Sequence, residues 1–231
     1  MNKIKGVIFD LDGTIGNTLP LCIRAFRQSI EPLALKTLSD EDIIATFGPS
    51  EEGTIQTLIP DHYEQGIVNY LQFYESLHDI CPDPFPGIAG LLNQLKDKGI
   101  RIAMVTGKGK HSTAISLKKF GLGDYFEPVE TGSPTGPVKV EGITAVLQHW
   151  QDLDKDSIIY VGDAPGDITA SRKAGIRVVA AAWAETAEPR KLKAQNPDQL
   201  FYSIDEFAAW LLPMILPTAP TAPPAPPLPP L

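Results

Sequence analysis

The chain has 231 residues, enough for about one and a half domains of ~150 residues each. Hydrophobic residues make up 43% and charged residues 21%, as in ordinary globular proteins, which argues against a disordered or fibrous chain. The 20 Lys and Arg residues against 28 Asp and Glu residues give a net charge of -8, so no overall positive field attracts nucleic acid or an anionic membrane. We therefore expect a globular protein without nucleic-acid or membrane partners, in which an anionic ligand is bound by local positive charge.

The two cysteines and the N-terminal residues point to a reducing compartment. Cys22 and Cys81 are too few for a disulfide framework or a zinc cluster, and we interpret them as buried apolar residues. The first residues lead directly into an apolar strand, without the pattern of a signal peptide, and no run of about 18 apolar residues occurs. The sequence therefore predicts a cytoplasmic protein.

The predicted elements begin with a buried strand at residues 4–9, which a helical segment follows. Apolar residues at helical spacing predict helices in this segment, at residues 20–30, 39–47, 51–59 and 61–77. Because no strand is predicted between residues 16 and 84, these helices interrupt the sheet between its first and second strands. We expect residues 16–84 to form an all-helical cap domain over the edge of the sheet.

From residue 85 onward, short β-branched runs alternate with helical patterns. Strands are predicted at residues 100–105, 158–161 and 176–180, and helices at residues 87–98, 110–120, 140–150, 166–174 and 203–212. Ser203 and Glu206 form the capping box that opens the last helix. The alternation predicts an α/β core with a parallel sheet and helices on both faces, built from residues 1–15 and 85–212.

The C-terminal residues 213–231 form a proline-rich tail that contains nine of the 22 prolines. Such a segment lacks amide donors and is expected to be extended or polyproline II. Its PxxP spacings, at Pro223 to Pro226 and Pro227 to Pro230, match ligands of aromatic-lined grooves, but a proline-rich composition produces this spacing by itself. An inert tail is therefore the favoured interpretation, and a proline-motif partner is the alternative.

Polar residues follow three of the predicted strands at the point where each strand ends. Asp10 and Asp12 follow the first strand, Thr106 follows the second, and Asp163 and Asp167 follow the strand at residues 158–161. Open parallel sheets bind ligands at the carboxyl ends of their strands, so we expect the four aspartates to converge. Crowded carboxylates repel one another unless a cation lies among them, and oxygen ligands favour Mg²⁺. The sequence thus predicts a magnesium site.

Each of these pieces also has a purely structural interpretation. Asp12 followed by Gly13 is typical of a turn, and Asp163 is typical of the loop that opens a helix. An EF-hand loop that starts at Asp10 is excluded, because Gly13 stands at the wrong position and Leu21 occupies the place of the bidentate Glu. The functional interpretation is favoured because these pieces follow separate hydrophobic strands.

With these motifs the chain resembles the haloacid dehalogenase-like hydrolases, specifically phosphatases with a helical cap such as the phosphoglycolate phosphatases. The resemblance covers about residues 4–212 and rests on four pieces: Asp10-Leu-Asp12-Gly-Thr14, Thr106 after a strand, Lys139 in Pro137-Val-Lys-Val-Glu-Gly, and Gly162-Asp163-Ala-Pro-Gly-Asp167. It implies a Rossmann-like core with an inserted cap, and Mg²⁺-dependent hydrolysis of a small phosphorylated metabolite.

The resemblance also implies roles for the catalytic residues. Asp10 would attack phosphorus to form an aspartyl phosphate, and Asp12 would protonate the leaving oxygen and then take a proton from water. Thr106 and Lys139 would hold the phosphate oxygens. The metal ligands would be Asp10, the backbone carbonyl of Asp12, and Asp163, with Asp167 in support.

Substrate-binding residues are predicted next to this core set, and two positions depart from the family pattern. Gly107 and Lys108 follow Thr106, with Gly107 where an Asn is frequent. Asn17 stands where the family usually has an acid. Arg24, in the helical segment, would suit a substrate carboxylate such as that of phosphoglycolate, and a solvated arginine is the alternative interpretation.

Two other functions remain open from the sequence. A phosphomutase that returns the phosphoryl group to a sugar hydroxyl would use the same core residues. A non-enzymatic binding protein could act through the proline-rich tail. A dehalogenase is disfavoured, because the resemblance implies that dehalogenases lack the second aspartate, here Asp12.

Overall fold

A computed structural model describes residues 3–215, which contain a six-stranded parallel sheet. The strand order is β3-β2-β1-β4-β5-β6. The strands are β1 (Gly6–Phe9), β2 (Arg101–Val105), β3 (Val129–Glu130), β4 (Ile158–Gly162), β5 (Arg177–Ala181) and β6 (Gln199–Phe201). The predicted α/β core with a Rossmann-like parallel sheet is confirmed. The part of the proline-rich tail from residue 216 onward lies outside the described residues.

The central strands are buried on both faces, which explains their unbroken apolar sequences. All residues of β1 and β4 are buried, and Phe9 at the end of β1 is paired with Met104 of β2 and Val161 of β4. This register aligns the carboxyl ends of the three strands. Residues 10, 106 and 163, which follow these ends, therefore share one edge of the sheet.

Helices cover both faces of the sheet. The core helices are α5 (Ile88–Asp97), α6 (Lys110–Lys119), α7 (Lys139–His149), α8 (Pro165–Ala174), α9 (Pro189–Ala194) and α10 (Ile204–Leu211). Buried residues of α5, α6 and α10 belong to one apolar cluster, and those of α7, α8 and α9 belong to a second cluster. Each cluster packs on one set of alternating strand residues, because successive side chains of a strand point to opposite faces.

The helical segment between β1 and β2 has an apolar core of its own. Its helices are α1 (Leu19–Ala34), α2 (Asp40–Ile44), α3 (Glu51–Leu58) and α4 (Tyr63–Ser76), with single 3₁₀ turns at Pro60–His62 and His78–Ile80. Phe26 of α1 packs on Tyr70 of α4 with ring centroids 4.5 Å apart. We call residues 19–80 the helical insertion.

The core differs from the sequence-based expectation in three short elements and at its C-terminal end. The strands β3 and β6 and the helix α9 were not predicted, because each is too short to show a periodic apolar pattern; Leu192 is the one buried residue of α9. The core also extends beyond the predicted boundary at residue 212. Ile215 is buried and forms a parallel bridge with Ile4, whose amide donates to the carbonyl of Met214 at 3.1 Å.

Two expectations based on composition can be compared with residues 3–215. Cys22 and Cys81 are free and buried, as predicted. Within these residues, none of the helices has the length and apolar character needed to span a membrane.

Candidate active site

The structure brings three carboxylates together at the carboxyl edge of the sheet. One carboxylate oxygen from each of Asp10, Asp163 and Asp167 lies within 4.8 Å of the other two. Asp10 is fixed by its position after β1, where its amide donates to the carbonyl of Val161 at 2.9 Å. Asp167, on the first turn of α8, is fully buried, and it accepts a hydrogen bond from the Ala164 amide at 2.9 Å.

One ammonium group contacts two of these carboxylates. Lys139 is the first residue of α7, and its Nζ lies 2.6 Å from Asp10 Oδ2 and is hydrogen-bonded to Asp167 Oδ1. Tyr160 on β4 also donates from its hydroxyl to Asp167 Oδ1, at 3.2 Å. These contacts hold Asp10 and Lys139 in one orientation, as a preorganised site for an anion requires.

The charges of the cluster do not balance. Burial raises the pKa of Asp10 to about 6, although the neighbouring Lys139 lowers it. Burial and the charges of Asp10 and Asp167 raise the pKa of Asp163 well above its usual value. Burial opposes the charge on Lys139, but the two carboxylates outweigh it and raise its pKa well above the ordinary range. Three carboxylates against one ammonium, with oxygen donors only, suit a hard divalent cation such as Mg²⁺.

Gly13 allows the loop after β1 to approach Asp163. Its φ angle of 73° lies in the left-handed region, and a Cβ atom at this position would overlap with the Asp163 carboxylate. Only glycine combines this backbone conformation with this close contact. Steric fit therefore explains why glycine follows Asp12 in the motif.

Only three of the four aspartates expected to converge form this group; the Asp12 carboxylate is not part of it, because it contacts a second lysine. Its Oδ1 lies 3.2 Å from Lys108 Nζ and accepts a hydrogen bond from the Thr18 hydroxyl. Lys108 is buried; its Nζ also lies 3.1 Å from Cys22 Sγ and 4.6 Å from the centre of the Tyr74 ring. Asp10 and Asp12 thus face different ammonium groups, although only one residue separates them.

These residues open into a cavity of about 660 Å³ between the sheet edge and the helical insertion. Of the predicted residues, the cavity lining includes Asp10, Asp12, Thr106, Gly107, Lys108 and Lys139. The loop at Phe47, Gly48 and Pro49 also lines it. Arg24 is solvent-exposed and absent from the lining, since it lies on the outer side of α1. The structure therefore does not support its predicted role in substrate binding.

Glu51 is a cavity residue that the sequence analysis missed. It is the first residue of α3 and is 6% exposed; its carboxylate accepts hydrogen bonds from the Gly109 amide, at 2.7 Å, and from the Ser112 hydroxyl. Burial raises its pKa. An acidic residue in the first turn of a helix is common in any helix, so the sequence carried no signal of this contact.

The departure at Asn17 leaves the contacts of Asp12 intact. Thr18, the next residue, is fully buried and donates to Asp12. The Asn17 Oδ1 atom is buried without a hydrogen-bond partner among the described residues. Asn17 lies just before the first helix of the insertion, and Asp12 is held by Thr18 and Lys108 rather than by this residue.

Comparison with known proteins identifies the family of the chain. The family model for haloacid dehalogenase-like hydrolases matches residues 7–181. The chain is 31% identical over 223 residues to pyrophosphatase PpaX of Bacillus mycoides, covering 92% of this chain and 97% of the relative. The corresponding protein of Bacillus thuringiensis strain Al Hakam is 30% identical over 216 residues, covering 92% and 97%.

Solved structures show the same fold. A predicted phosphoglycolate phosphatase from Haemophilus somnus 129PT superposes with a TM-score of 0.75 at 22% identity, over 91% of this chain and 99% of that one. CbbY from Rhodobacter sphaeroides in complex with phosphate gives a TM-score of 0.74 at 18% identity, over 88% and 96%. The chain therefore belongs to the haloacid dehalogenase-like hydrolase family and is a phosphatase of that family.

Proposed function

We propose that the protein is a Mg²⁺-dependent phosphatase that hydrolyses a small phosphorylated metabolite through an aspartyl-phosphate intermediate. The observation that carries this proposal is the convergence of Asp10, Asp163 and Asp167 within 4.8 Å, with Lys139 Nζ at 2.6 Å from Asp10. Such a site combines a nucleophilic carboxylate, a binding place for a divalent cation and a fixed ammonium group.

In the first step, Asp10 attacks phosphorus. The bond from its carboxylate oxygen to phosphorus forms while the bond from phosphorus to the leaving oxygen breaks, and Asp12 gives its proton to that oxygen. Asp12 is suited to this role because Thr18 and Lys108 orient it from the other side. The two aspartates have separate partners, so one can face phosphorus while the other faces the leaving oxygen.

In the second step, water attacks the phosphorus of the aspartyl phosphate. The ionised Asp12 takes the proton from this water, and the oxygen of Asp10 leaves as a carboxylate. Free phosphate and the starting enzyme result. Thr106 and Lys139 hold the phosphate oxygens in both steps, and Gly107 and Lys108 contact the substrate next to Asp12, at the oxygen that leaves phosphorus. We propose that the helical insertion acts as the cap that excludes bulk water.

The metal would be held by Asp10, the backbone carbonyl of Asp12, and Asp163, with Asp167 in support. When bound, Mg²⁺ would neutralise phosphate charge and orient the phosphoryl group. Burial and the charges of neighbouring carboxylates raise the pKa of Asp10 and Asp163, and a bound divalent cation would offset both effects, which supports the fit.

A phosphate-release assay tests the proposal. The purified protein is incubated with a panel of phosphorylated metabolites that includes pyrophosphate, after the names of the two relatives, and phosphoglycolate. We expect phosphate release with Mg²⁺ and its loss with EDTA. If neither this panel nor simple alkyl phosphates release phosphate in the presence of Mg²⁺, the proposal is wrong. An isomerised sugar phosphate with little free phosphate would instead identify a mutase.

A further inference from the structure

The cavity wall that the helical insertion supplies is mainly apolar. Its lining includes the side chains of Phe26, Phe47, Pro49 and Tyr70. The ring centroid of Phe26 lies 5.7 Å from that of Phe47 and 4.5 Å from that of Tyr70. From the core, Val138 and Val140 flank Lys139 on the same lining. A substrate whose phosphoryl group lies at Asp10 would place its leaving group among these side chains.

Two polar side chains of this wall, Thr54 and Glu51, are already engaged within the protein. Thr54 donates from its hydroxyl to the carbonyl of Thr46 at 3.2 Å. The Glu51 carboxylate accepts from Gly109 and Ser112, and it adds negative charge to the wall. Neither group is free to bind an anionic part of the substrate.

The cations of the cavity are likewise committed. Lys139 is bound to Asp10 and Asp167, and Lys108 is paired with Asp12. Lys173 is solvent-exposed, where water and salt weaken its attraction. Among the described lining residues, the buried cations thus serve the phosphoryl group and Asp12, and no arginine joins them.

The size of the cavity also exceeds what pyrophosphate needs. A volume of about 660 Å³ lies within the ~300–1,000 Å³ range typical of pockets for drug-sized ligands. We infer that the leaving group of the substrate is an uncharged, largely apolar alcohol that fills the aromatic wall, so the substrate is a neutral-tailed phosphate monoester rather than pyrophosphate or an ester with a second anionic group. This inference rests on the proposed phosphatase function.

A matched pair of substrates tests the inference. Hexyl phosphate and its analogue with a terminal carboxylate, 6-phosphonooxyhexanoate, have leaving alkoxides of similar basicity, so the chemical step is equally difficult for both. We expect kcat/KM for hexyl phosphate to exceed that of the carboxylate analogue and that of pyrophosphate by about 10-fold or more, because the apolar wall offers the second charge no partner.

A pair of variants tests which wall carries the selectivity. Phe47→Lys adds a cation to the lining, and we expect it to lower the preference for hexyl phosphate over the carboxylate analogue by about 10-fold. Ile44→Lys is the control; Ile44 is 43% exposed against 38% for Phe47 and is absent from the lining. This second variant should keep the wild-type preference.

The outcomes separate the inference from the function on which it rests. If phosphate is released but the two anionic substrates match or exceed hexyl phosphate, the inference is wrong and the phosphatase function stands. An unchanged preference in Phe47→Lys would also overturn the assigned wall. If neither the matched pair nor the metabolite panel releases phosphate with Mg²⁺, both proposals fail. Circular dichroism shows whether each variant is folded. If a variant is not folded, the rates of the wild-type protein with hexyl phosphate and with the two anionic substrates decide whether the inference holds.

Discussion

Asp10 and Asp12 show how two nearby carboxylates acquire different environments. Asp10 is 4% exposed and contacts Lys139, whereas Asp12 is half-buried and contacts Lys108 and Thr18. Alternation along an extended chain sends residues two apart to the same side, but the turn at Gly13 and the two lysines separate their partners. The two proposed roles, nucleophile for Asp10 and acid for Asp12, thus fall to carboxylates with different partners.

Replacing the nucleophile tests the covalent route. In Asp10→Asn we expect turnover to fall by at least about 10³-fold, because the amide cannot form the phosphoryl ester that the proposed mechanism requires. Mg²⁺ binding should persist, since Asp163 and Asp167 remain. Phosphate release measures turnover, and the shift of the melting temperature with added Mg²⁺ measures binding. Near-wild-type turnover in a carefully purified sample would contradict the aspartyl-phosphate intermediate.

The buried thiols provide a test of the packing near the cavity. Burial raises the pKa of the Cys22 thiol to about 12 and also raises the pKa of Cys81. Because only the thiolate is nucleophilic, we expect both cysteines of the native protein to react slowly with Ellman's reagent at pH 8. In denaturant both should react rapidly, which serves as the control. Rapid labelling of Cys22 in the native protein would show that α1 opens readily.

At the scale of elements, the most informative contact joins α3 of the insertion to α6 of the core. Helix α6 begins at Lys110, and its N-cap, Gly109, has no side chain to accept hydrogen bonds from its first turn. Glu51, from another element, accepts hydrogen bonds at this end of the helix from the Gly109 amide and the Ser112 hydroxyl. A carboxylate also interacts favourably with the positive end of a helix. The contact therefore links the insertion to the loop that carries Thr106 and Lys108.

Removing this link should affect both stability and substrate binding. In Glu51→Ala we expect a loss of about 1–3 kcal/mol in the free energy of unfolding, because the buried Gly109 amide is left without an acceptor. We also expect KM to rise more than kcat falls, since the insertion is held less firmly. Glu51→Gln, which retains an acceptor oxygen, should restore most of both. Urea unfolding and steady-state kinetics measure the effects; unchanged stability in Glu51→Ala would contradict the link.

A second prediction at this scale concerns Gly13, in the turn after β1. In Gly13→Ala the Cβ atom would meet the Asp163 carboxylate at a positive φ, so we expect a loss of more than about 1 kcal/mol of stability and weaker Mg²⁺ binding. Gly123→Ala is the matched control, because a Cβ atom there has no neighbour within 4 Å. Thermal melts with and without Mg²⁺ distinguish the two. Equal effects in both variants would show that the steric argument for Gly13 is wrong.

At the scale of the whole molecule, the cavity lies where the insertion meets the carboxyl edge of the sheet. The core supplies the aspartates and lysines of the lining, and the insertion supplies its three aromatic residues together with Glu51. Under the proposed function, the phosphoryl chemistry would depend on the strand ends, while the leaving group would contact the insertion.

Truncation tests the boundary of the core and the alternative of a tail-dependent binding protein. A chain ending at Ile215 should retain wild-type turnover, because the proposed machinery lies within the described residues. A chain ending at Leu211 should be less stable, since it loses the hydrogen bond from Ile4 to Met214 and the burial of Ile215. Melting temperature and phosphate release measure the two effects. Loss of turnover in the chain that ends at Ile215 would assign a role in catalysis to the tail.

The strongest elements could be predicted from sequence because their signals are local. The four main strands are apolar runs, and the long helices α1, α4, α5 and α7 show apolar residues at helical spacing. The elements β3, β6 and α9 could not be predicted, because two to six residues are too few for a periodic pattern. These elements form because the neighbouring strands and helices provide their partners.

The sequence by itself determined the α/β order of elements, the helical insertion and the placement of Asp10, Thr106 and Asp163 after strands, because a residue's position relative to a strand end is a property of the chain. Only the tertiary structure decided the partners of each side chain. It paired Asp12 with Lys108, brought Glu51 to the N-terminus of α6 and left Arg24 in solvent. The first contact joins two loops that follow neighbouring strands, and the second joins the insertion to the core. Both pair residues distant in sequence, so no local pattern reveals them.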